Sequence, residues 1–174
     1  MPELRDATEA DLPAIGVIYA HHVLQGLASF EETPPGVDEL RRRFEAVREL
    51  GLPYLACVER GQVIGYAYAS LFRTRSAYRY TLEDSVYVKQ GLARKGIGRQ
   101  LLAALLERSS ALGYRQMIAV IGDSANASSI ELHAALGFVR CGLLRSTGYK
   151  FGRWVDTVMM QRPLGPGDGA PPLP

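Results

Sequence analysis

Apolar positions along the chain change period several times, and each change marks an element. Leu12, Ile15, Tyr19 and His22 recur at helical spacing after Thr8-x-x-Asp11, a capping-box signature, so a first helix is expected over residues 9–25. Leu40, Phe44 and Val47 form the inner stripe of a second helix over 37–50, which Gly51-Leu-Pro53 stops. Strand signals follow at 54–59 and 63–72 around the turn Arg60-Gly61, and again at 80–88. From Ile97 the period is helical again: Ile97, Leu101 and Leu105, widened by Leu102 and Leu106, predict a helix over 97–112 with Gly113 as its C-cap. Residues 116–121 are nearly all apolar and predict a strand buried on both faces. Asn126 is placed to N-cap a helix carrying Ile130, His133, Ala134 and Leu136 and ending at Gly137. Residues 138–149 and 154–162 form a last strand pair, and 4–7 a short edge strand at the start. The fold class is therefore α/β (α+β), in the order β-α-α-β-β-β-α-β-α-β-β.

Three positions break this pattern. Strict alternation on 80–88 puts Asp84 on one face with Leu82, Val86 and Val88, where a carboxylate needs either a bulge or a buried partner. Glu83, on the other face, stands mid-strand where glutamate is disfavoured and is expected to face a cavity. Phe30 is an aromatic in the loop 26–36; it either anchors that loop or walls a pocket.

The stretch 83–98 carries the clearest chemistry. A strand is followed by Ala93, Arg94, Lys95 and Gly96, then by a helix starting Ile97-Gly98. Such a loop can turn backbone N–H groups toward one point at a helix N-terminus, which attracts phosphate. The alternative is a glycine pair that serves only tight packing. Gly91 to Gly96 is followed by Ile97 rather than lysine, which excludes a Walker loop, and Leu101 stands where a dinucleotide fingerprint needs its third glycine. Arg73, Arg75 and Arg79 surround Tyr78 at a strand end; they suit either a carboxylate or phosphoryl clamp or a solvated surface. Arg41, Arg42, Arg43 and Arg48 are expected on a solvated helix face, and His21, His22 and a lone His133 as partly buried helix residues.

Composition narrows the class. The 174 residues suit one domain over 1–164 followed by a Pro/Gly-rich tail, 165–174, expected outside the fold. Hydrophobic residues make up 47% and charged ones 22%, as in soluble globular proteins. A net charge of +2 argues against nucleic-acid binding. No apolar run approaches the roughly 18 residues of a membrane span, and the N-terminus lacks a secretory signal. Cys57 and Cys141, without a C-x-x-C partner, are expected as core residues in a reducing, cytoplasmic compartment, and no cluster suggests a metal.

The element order, with Arg5-x-Ala-Thr-Glu-x-Asp-Leu12, the strand-loop-helix at 83–98 and Asn126-x-x-Ser-x-x-Leu-His-x-x-x-Gly-Phe138, resembles the GNAT superfamily of acetyl-CoA-dependent N-acetyltransferases, and does so up to about Leu164. The resemblance implies a central mixed, mostly antiparallel twisted sheet flanked by helices. Ser29-Phe30-Glu31, Arg75-x-Ala-Tyr78, Thr81-x-Glu-x-x-Val-Tyr-Val88, Leu132-His133 and Gly148-Tyr-Lys-x-Gly-x-Trp-x-Asp156 further resemble the phosphinothricin / methionine sulfone (or sulfoximine) N-acetyltransferases, in which His133 stands where many GNAT enzymes have tyrosine. The likeness implies acetyl transfer from acetyl-CoA, with no metal, to the α-amine of a small glutamate- or methionine-like amino acid, in a cytoplasmic homodimer. It implies a cofactor site at Val86, Tyr87, Val88, Ala93, Arg94, Lys95, Gly96, Ile97, Gly98, Asn126 and Ser129, and a substrate site at Phe30, Arg73, Arg75, Ser76, Ala77 and Tyr78. Ala93 departs from the family's usual Gln or Arg, and Arg94 next to it is the substitute. Glu83 is the candidate base, its proton affinity raised by a desolvated site. His133 either shares that role or helps protonate the departing thiolate. Two alternatives stay open: an acetyltransferase for a polyamine or protein N-terminus, and a CoA-binding regulatory module without catalysis.

Overall fold

The computed structural model describes residues 2–172; Met1 and the last two residues of the tail, Leu173 and Pro174, lie outside the described residues. The elements are β1 (Glu3–Asp6), α1 (Leu12–Gln25), α2 (Val37–Glu49), β2 (Tyr54–Glu59), β3 (Gln62–Leu71), β4 (Thr81–Val88), α3 (Ile97–Ala111), β5 (Gln116–Gly122), α4 (Ala127–Ala135), β6 (Val139–Lys150) and β7 (Arg153–Pro163). This is the expected order. The strands form one seven-stranded sheet, β1-β2-β3-β4-β5-β7-β6, in which only the β4–β5 pair is parallel.

Alternation on β3 assigns the two layers. Tyr66 stacks on Tyr87, which meets Tyr19 of α1 edge-on, and Tyr54 packs against Phe44 of α2, so α1 and α2 cover that face. Gly65 points the other way. A Cβ there would stand 3.0 Å from Ile97 and Leu101, so α3 lies tight on the opposite face. Leu40, Phe44 and Val47 are the buried stripe of α2, and Leu101, Leu102, Leu105 and Leu106 that of α3. Burial of these stripes on both sides of the sheet supplies the main driving force for the fold.

Four details differ from the sequence expectation. The first helix begins with a 3-10 turn at Glu9–Asp11 before α1 proper. Cys57 is buried, but Cys141 is exposed, because β6 is an edge strand with solvent along it. Arg43 does not merely solvate α2: it reaches across to Glu31, 2.6 Å away, in the loop after α1. The described part of the tail is tied down, since the Arg115 guanidinium donates to the carbonyls of Gly167, Ala170 and Pro171 at 3.0, 3.2 and 2.8 Å.

Asp11 locks the start of α1. Its carboxylate accepts two bonds from Arg5, at 2.7 and 2.8 Å, and one from the Thr8 N–H at 2.8 Å. The Arg5 bonds outweigh burial and lower the Asp11 carboxyl to about 2. A carboxylate held below its unfolded value stabilises the fold above about pH 4, and that contribution is lost as pH falls toward 2. Asp11→Asn is expected to cost about 1–2 kcal/mol at pH 7, a figure discounted for the partly exposed Arg5. Urea unfolding checks this: the gap between wild type and variant narrows as pH is lowered from 4.

Candidate active site

The site begins where β4 and β5 part. Their parallel ladder runs only from Thr81↔Gln116 to Glu83↔Ile118. Beyond it β4 continues to Val88 along β3, and β5 continues to Gly122 along β7. The backbone groups of β4 that face β5 after Glu83 therefore lack a strand partner, and a polar, open-edged wedge results. Two cavities of about 320 and 800 Å³ occupy it, and both are walled by Ala28, Val86, Tyr87, Asn126, Ser129 and His133.

Glu83 stands in the smaller cavity with Phe30, Tyr68, Ser85, Val120 and Thr157. Burial, and secondarily the neighbouring Asp84, push its carboxyl up to about 6. Asp84 points to the opposite face. The β3–β4 register is continuous from Gly65↔Val88 to Leu71↔Leu82, so no bulge relieves it. It has a buried partner instead: its Oδ2 lies 2.9 Å from His133 Nε2. The other ring nitrogen of His133, Nδ1, is 2.7 Å from the Ser129 carbonyl. Burial alone would lower this imidazole, but the Asp84 bond and charge together with the Ser129 carbonyl raise it. An imidazolium that donates from both nitrogens has no lone pair with which to accept a proton. The two candidates therefore stand in different settings: among the described residues the Glu83 carboxyl has no cationic partner in its cavity, whereas both His133 nitrogens are already engaged. Asp84 Oδ1 is buried and, among the described residues, without a partner.

The larger cavity reaches the N-terminus of α3. Arg94 (φ 62°) and Gly96 (φ 80°) are both left-handed, the kind of backbone from which an anion nest is built. Of the expected cofactor residues, Val86, Tyr87, Val88, Ala93, Arg94, Gly96, Ile97, Gly98, Asn126 and Ser129 line this cavity; Lys95 does not. Gly98 lets the loop approach α4, since a Cβ there would come within 3.3 Å of Leu132. Asn126 caps α4 through the Ser129 N–H, 3.2 Å away. His22, expected from sequence only as a partly buried helix residue, also lines the cavity and places Nε2 2.9 Å from the Val88 carbonyl; burial lowers it, so the neutral ring donates there.

Of the expected substrate residues, only Phe30 shares the Glu83 cavity. Arg73, Arg75 and Tyr78, with Thr74, line a separate cavity of about 450 Å³, and Ser76 and Ala77 are in neither wall. The segment leaves the sheet where the Phe72 N–H bonds the Thr81 carbonyl, two residues along β4 from Glu83. Arg73 lies over the rings of Phe72 and Tyr78, at 5.1 and 5.8 Å.

Sequence reasoning missed Tyr68, Thr157 and the network behind the loop. The Tyr19 hydroxyl bonds Ser29 Oγ at 2.9 Å and also Glu31, which Arg43 holds from α2. Tyr68 carries a signal, since it shares Tyr66's alternate position on β3 and pairs with Ser85. Among the described residues no group of three or more His, Cys, Asp or Glu side chains is placed to hold a metal, and no helix is long and apolar enough to cross a membrane.

Residues 4–159 match the acetyltransferase (GNAT) domain. The chain is 54% identical over 165 residues to phosphinothricin N-acetyltransferase of Alcaligenes faecalis, covering 95% of this chain and 84% of that one. It is 43% identical over 169 residues to the L-methionine sulfoximine/L-methionine sulfone acetyltransferase of Pseudomonas paraeruginosa, covering 97% and 98%. A GNAT superfamily phosphinothricin acetyltransferase from Sinorhizobium meliloti, solved in complex with AcCoA, is similar with a TM-score of 0.96 at 53% identity, covering 99% of this chain and 93% of that one.

The Asp84–His133 pair has a spectroscopic consequence. In an NMR titration His133 is expected to hold its proton above the ordinary imidazole value, and in Asp84→Asn, where burial is left unopposed by a carboxylate, to lose it below that value.

Proposed function

The chain belongs to the GNAT acetyltransferase family, and from that footing we propose that it carries the acetyl group of acetyl-CoA to the α-amine of a small glutamate- or methionine-like amino acid, with phosphinothricin, methionine sulfone and methionine sulfoximine as the model acceptors. Glu83 carries the assignment: a half-buried carboxylate with its pKa raised to about 6, in a small cavity that shares a wall with the larger one bordered by the phosphate-type loop. An α-ammonium must lose a proton before it attacks, and a base that titrates near 6 is ionised at neutral pH while still able to accept one.

Bound at Val86–Val88 and the loop 93–98, acetyl-CoA supplies a thioester carbonyl open to an amine. Glu83 takes a proton from the α-ammonium, directly or through one water. The freed amine forms the C–N bond, and a backbone N–H among Val86 to Val88, in the stretch of β4 without a strand partner, is the donor for the oxyanion. Collapse breaks the C–S bond; the nitrogen gives up its second proton, and the leaving thiolate takes up a proton, directly or through water, at the wall that His133 shares between the two cavities. Arg73 and Arg75, with Tyr78, line a cavity of their own beside the start of β4, and are assigned the acid end of an amino acid whose amine reaches Glu83, for which the guanidinium fork is suited. These cations also disfavour a polyamine acceptor through like-charge repulsion.

The proposal extends to a homodimer in the cytoplasm. β6 has only β7 beside it, and Val139, Leu144, Tyr149, Phe151 and Trp154 on this hairpin are exposed, an edge that a second copy would cover. The free thiols suit a reducing compartment. Light scattering after size exclusion checks the mass in solution.

Thiol release from acetyl-CoA, measured with a panel of amines, tests the acceptor class. Turnover is expected with the glutamate-like amino acids and not with spermidine; the reverse pattern refutes it. Glu83→Gln is expected to lower kcat/KM by about 10²–10⁴-fold. In wild type, log kcat/KM is expected to fall with a limb near pH 6, because protonated Glu83 cannot accept the amine's proton. A pH-independent rate from 5 to 8 would remove Glu83 from the role.

A further inference from the structure

Lys150, at the end of β6, is buried to 1% exposure, yet among the described residues no carboxylate pairs with its ammonium. Its Nζ donates to two carbonyls of one loop, Gly26 at 2.9 Å and Ser29 at 2.7 Å. A desolvated ammonium is expensive to bury, and an apolar side chain of the same length would fill the space more cheaply. The cation therefore marks a place where the position of the loop matters more than stability.

That loop divides the two cavities. Ala28 walls both, Gly26 and Leu27 the larger, Ser29 and Phe30 the smaller. Its first residue is already anchored, because the Gly26 N–H bonds the His22 carbonyl at the end of α1. The far end, Ser29–Phe30, depends on Lys150 and on the Tyr19–Ser29 bond. Two strand glycines make the seat for the Phe30 ring. A Cβ on Gly148 would stand 2.5 Å from the ring, and one on Gly122 would come 3.0 Å from it and collide with the Leu27 carbonyl. Gly148 precedes Lys150 by two residues on the same strand, so one face of β6 supplies both the seat and the clamp.

We infer that Lys150 and Gly148 are positioning residues for amine acceptance: together they hold residues 26–30 so that Phe30 forms the acceptor wall opposite Glu83. The inference rests on the acetyltransferase reading above. It predicts that loosening either one weakens amine use more than acetyl-CoA use, since of the larger cavity's walls only Gly26–Ala28 belong to the loop, and those on β4, α3 and α4 are untouched.

The test uses the full chain as wild type, Lys150→Met, Lys150→Arg and Gly148→Ala, with phosphinothricin as acceptor and with amide hydrogen exchange followed across the protein. Lys150→Met is expected to raise the acceptor KM by about tenfold to a hundredfold, the scale of a lost charge-assisted hydrogen bond, with acetyl-CoA KM within about threefold. Faster exchange is expected in residues 26–31 alone. Lys150→Arg, which keeps charge and donors, is expected to recover part of the loss. Gly148→Ala, which leaves Lys150 in place, is expected to raise the acceptor KM too, and it decides the matter if Lys150→Met does not fold. An unchanged acceptor KM in either variant, or an equal rise in both KM values with exchange faster throughout the chain, overturns the inference. Wild type inactive on every amino acid would sink the acceptor class instead, and exchange at 26–31 would still decide whether Lys150 holds the loop.

Discussion

Three rungs of parallel pairing join β4 to β5, and the strands then part. Almost every functional feature depends on that divergence. A sheet zipped to its end would satisfy its own backbone and leave no room between its strands. Parting exposes an unpaired stretch of β4, makes room for the two adjoining cavities and lets side chains of opposite pleat address one space. Glu83 and Asp84 are sequence neighbours with opposite directions, yet both border the smaller cavity. The strong pairing of β4 with β3 and of β5 with β7 keeps the two halves rigid while they diverge.

Much of this was legible in the chain. Hydrophobic period gave the helices and strands, though not the 3-10 turn at Glu9–Asp11, because long stripes such as Leu40-Phe44-Val47 can serve only one geometry. Asp84 was legible as an anomaly, and the choice between a bulge and a buried partner needed coordinates, since the partner lies 49 residues away on α4. His133 shows the opposite limit. Its place near the inner face of a helix was visible, but its protonation depends on Asp84 and Ser129 closing on both nitrogens. Lys150 was invisible as a buried group: beside a Phe-Gly turn a lysine has every local reason to face water, and only the packing of the loop 26–30 draws it in. The arginines at 73 and 75 stand out in the chain as cations at a strand end, but the separation of their cavity from that of Glu83 is a property of how the chain leaves the sheet.

The interior charges share a logic. Among the described residues Glu83 has no cationic partner and titrates high; Asp84 is given one and forms a tight pair; Lys150 bonds two loop carbonyls and lies over the Phe151 ring, with Glu32 and Glu31 acting on it only at longer range. The first arrangement suits a group that accepts a proton, the second one that holds a fixed charge, and the third one that grips a backbone.

The division of the wedge by a single loop bears on how such a molecule diversifies. Val86, Tyr87 and His133 stand at the junction, so a substitution at any of them reshapes both cavities at once. Phe30 and Val120 border the smaller cavity without entering the larger one, and Gly148 backs the Phe30 ring, so on the proposed reading drift there can retune which amine is admitted while the donor's handling is inherited unchanged. A lineage built on this plan can therefore change diet by editing a few side chains on one loop and one hairpin.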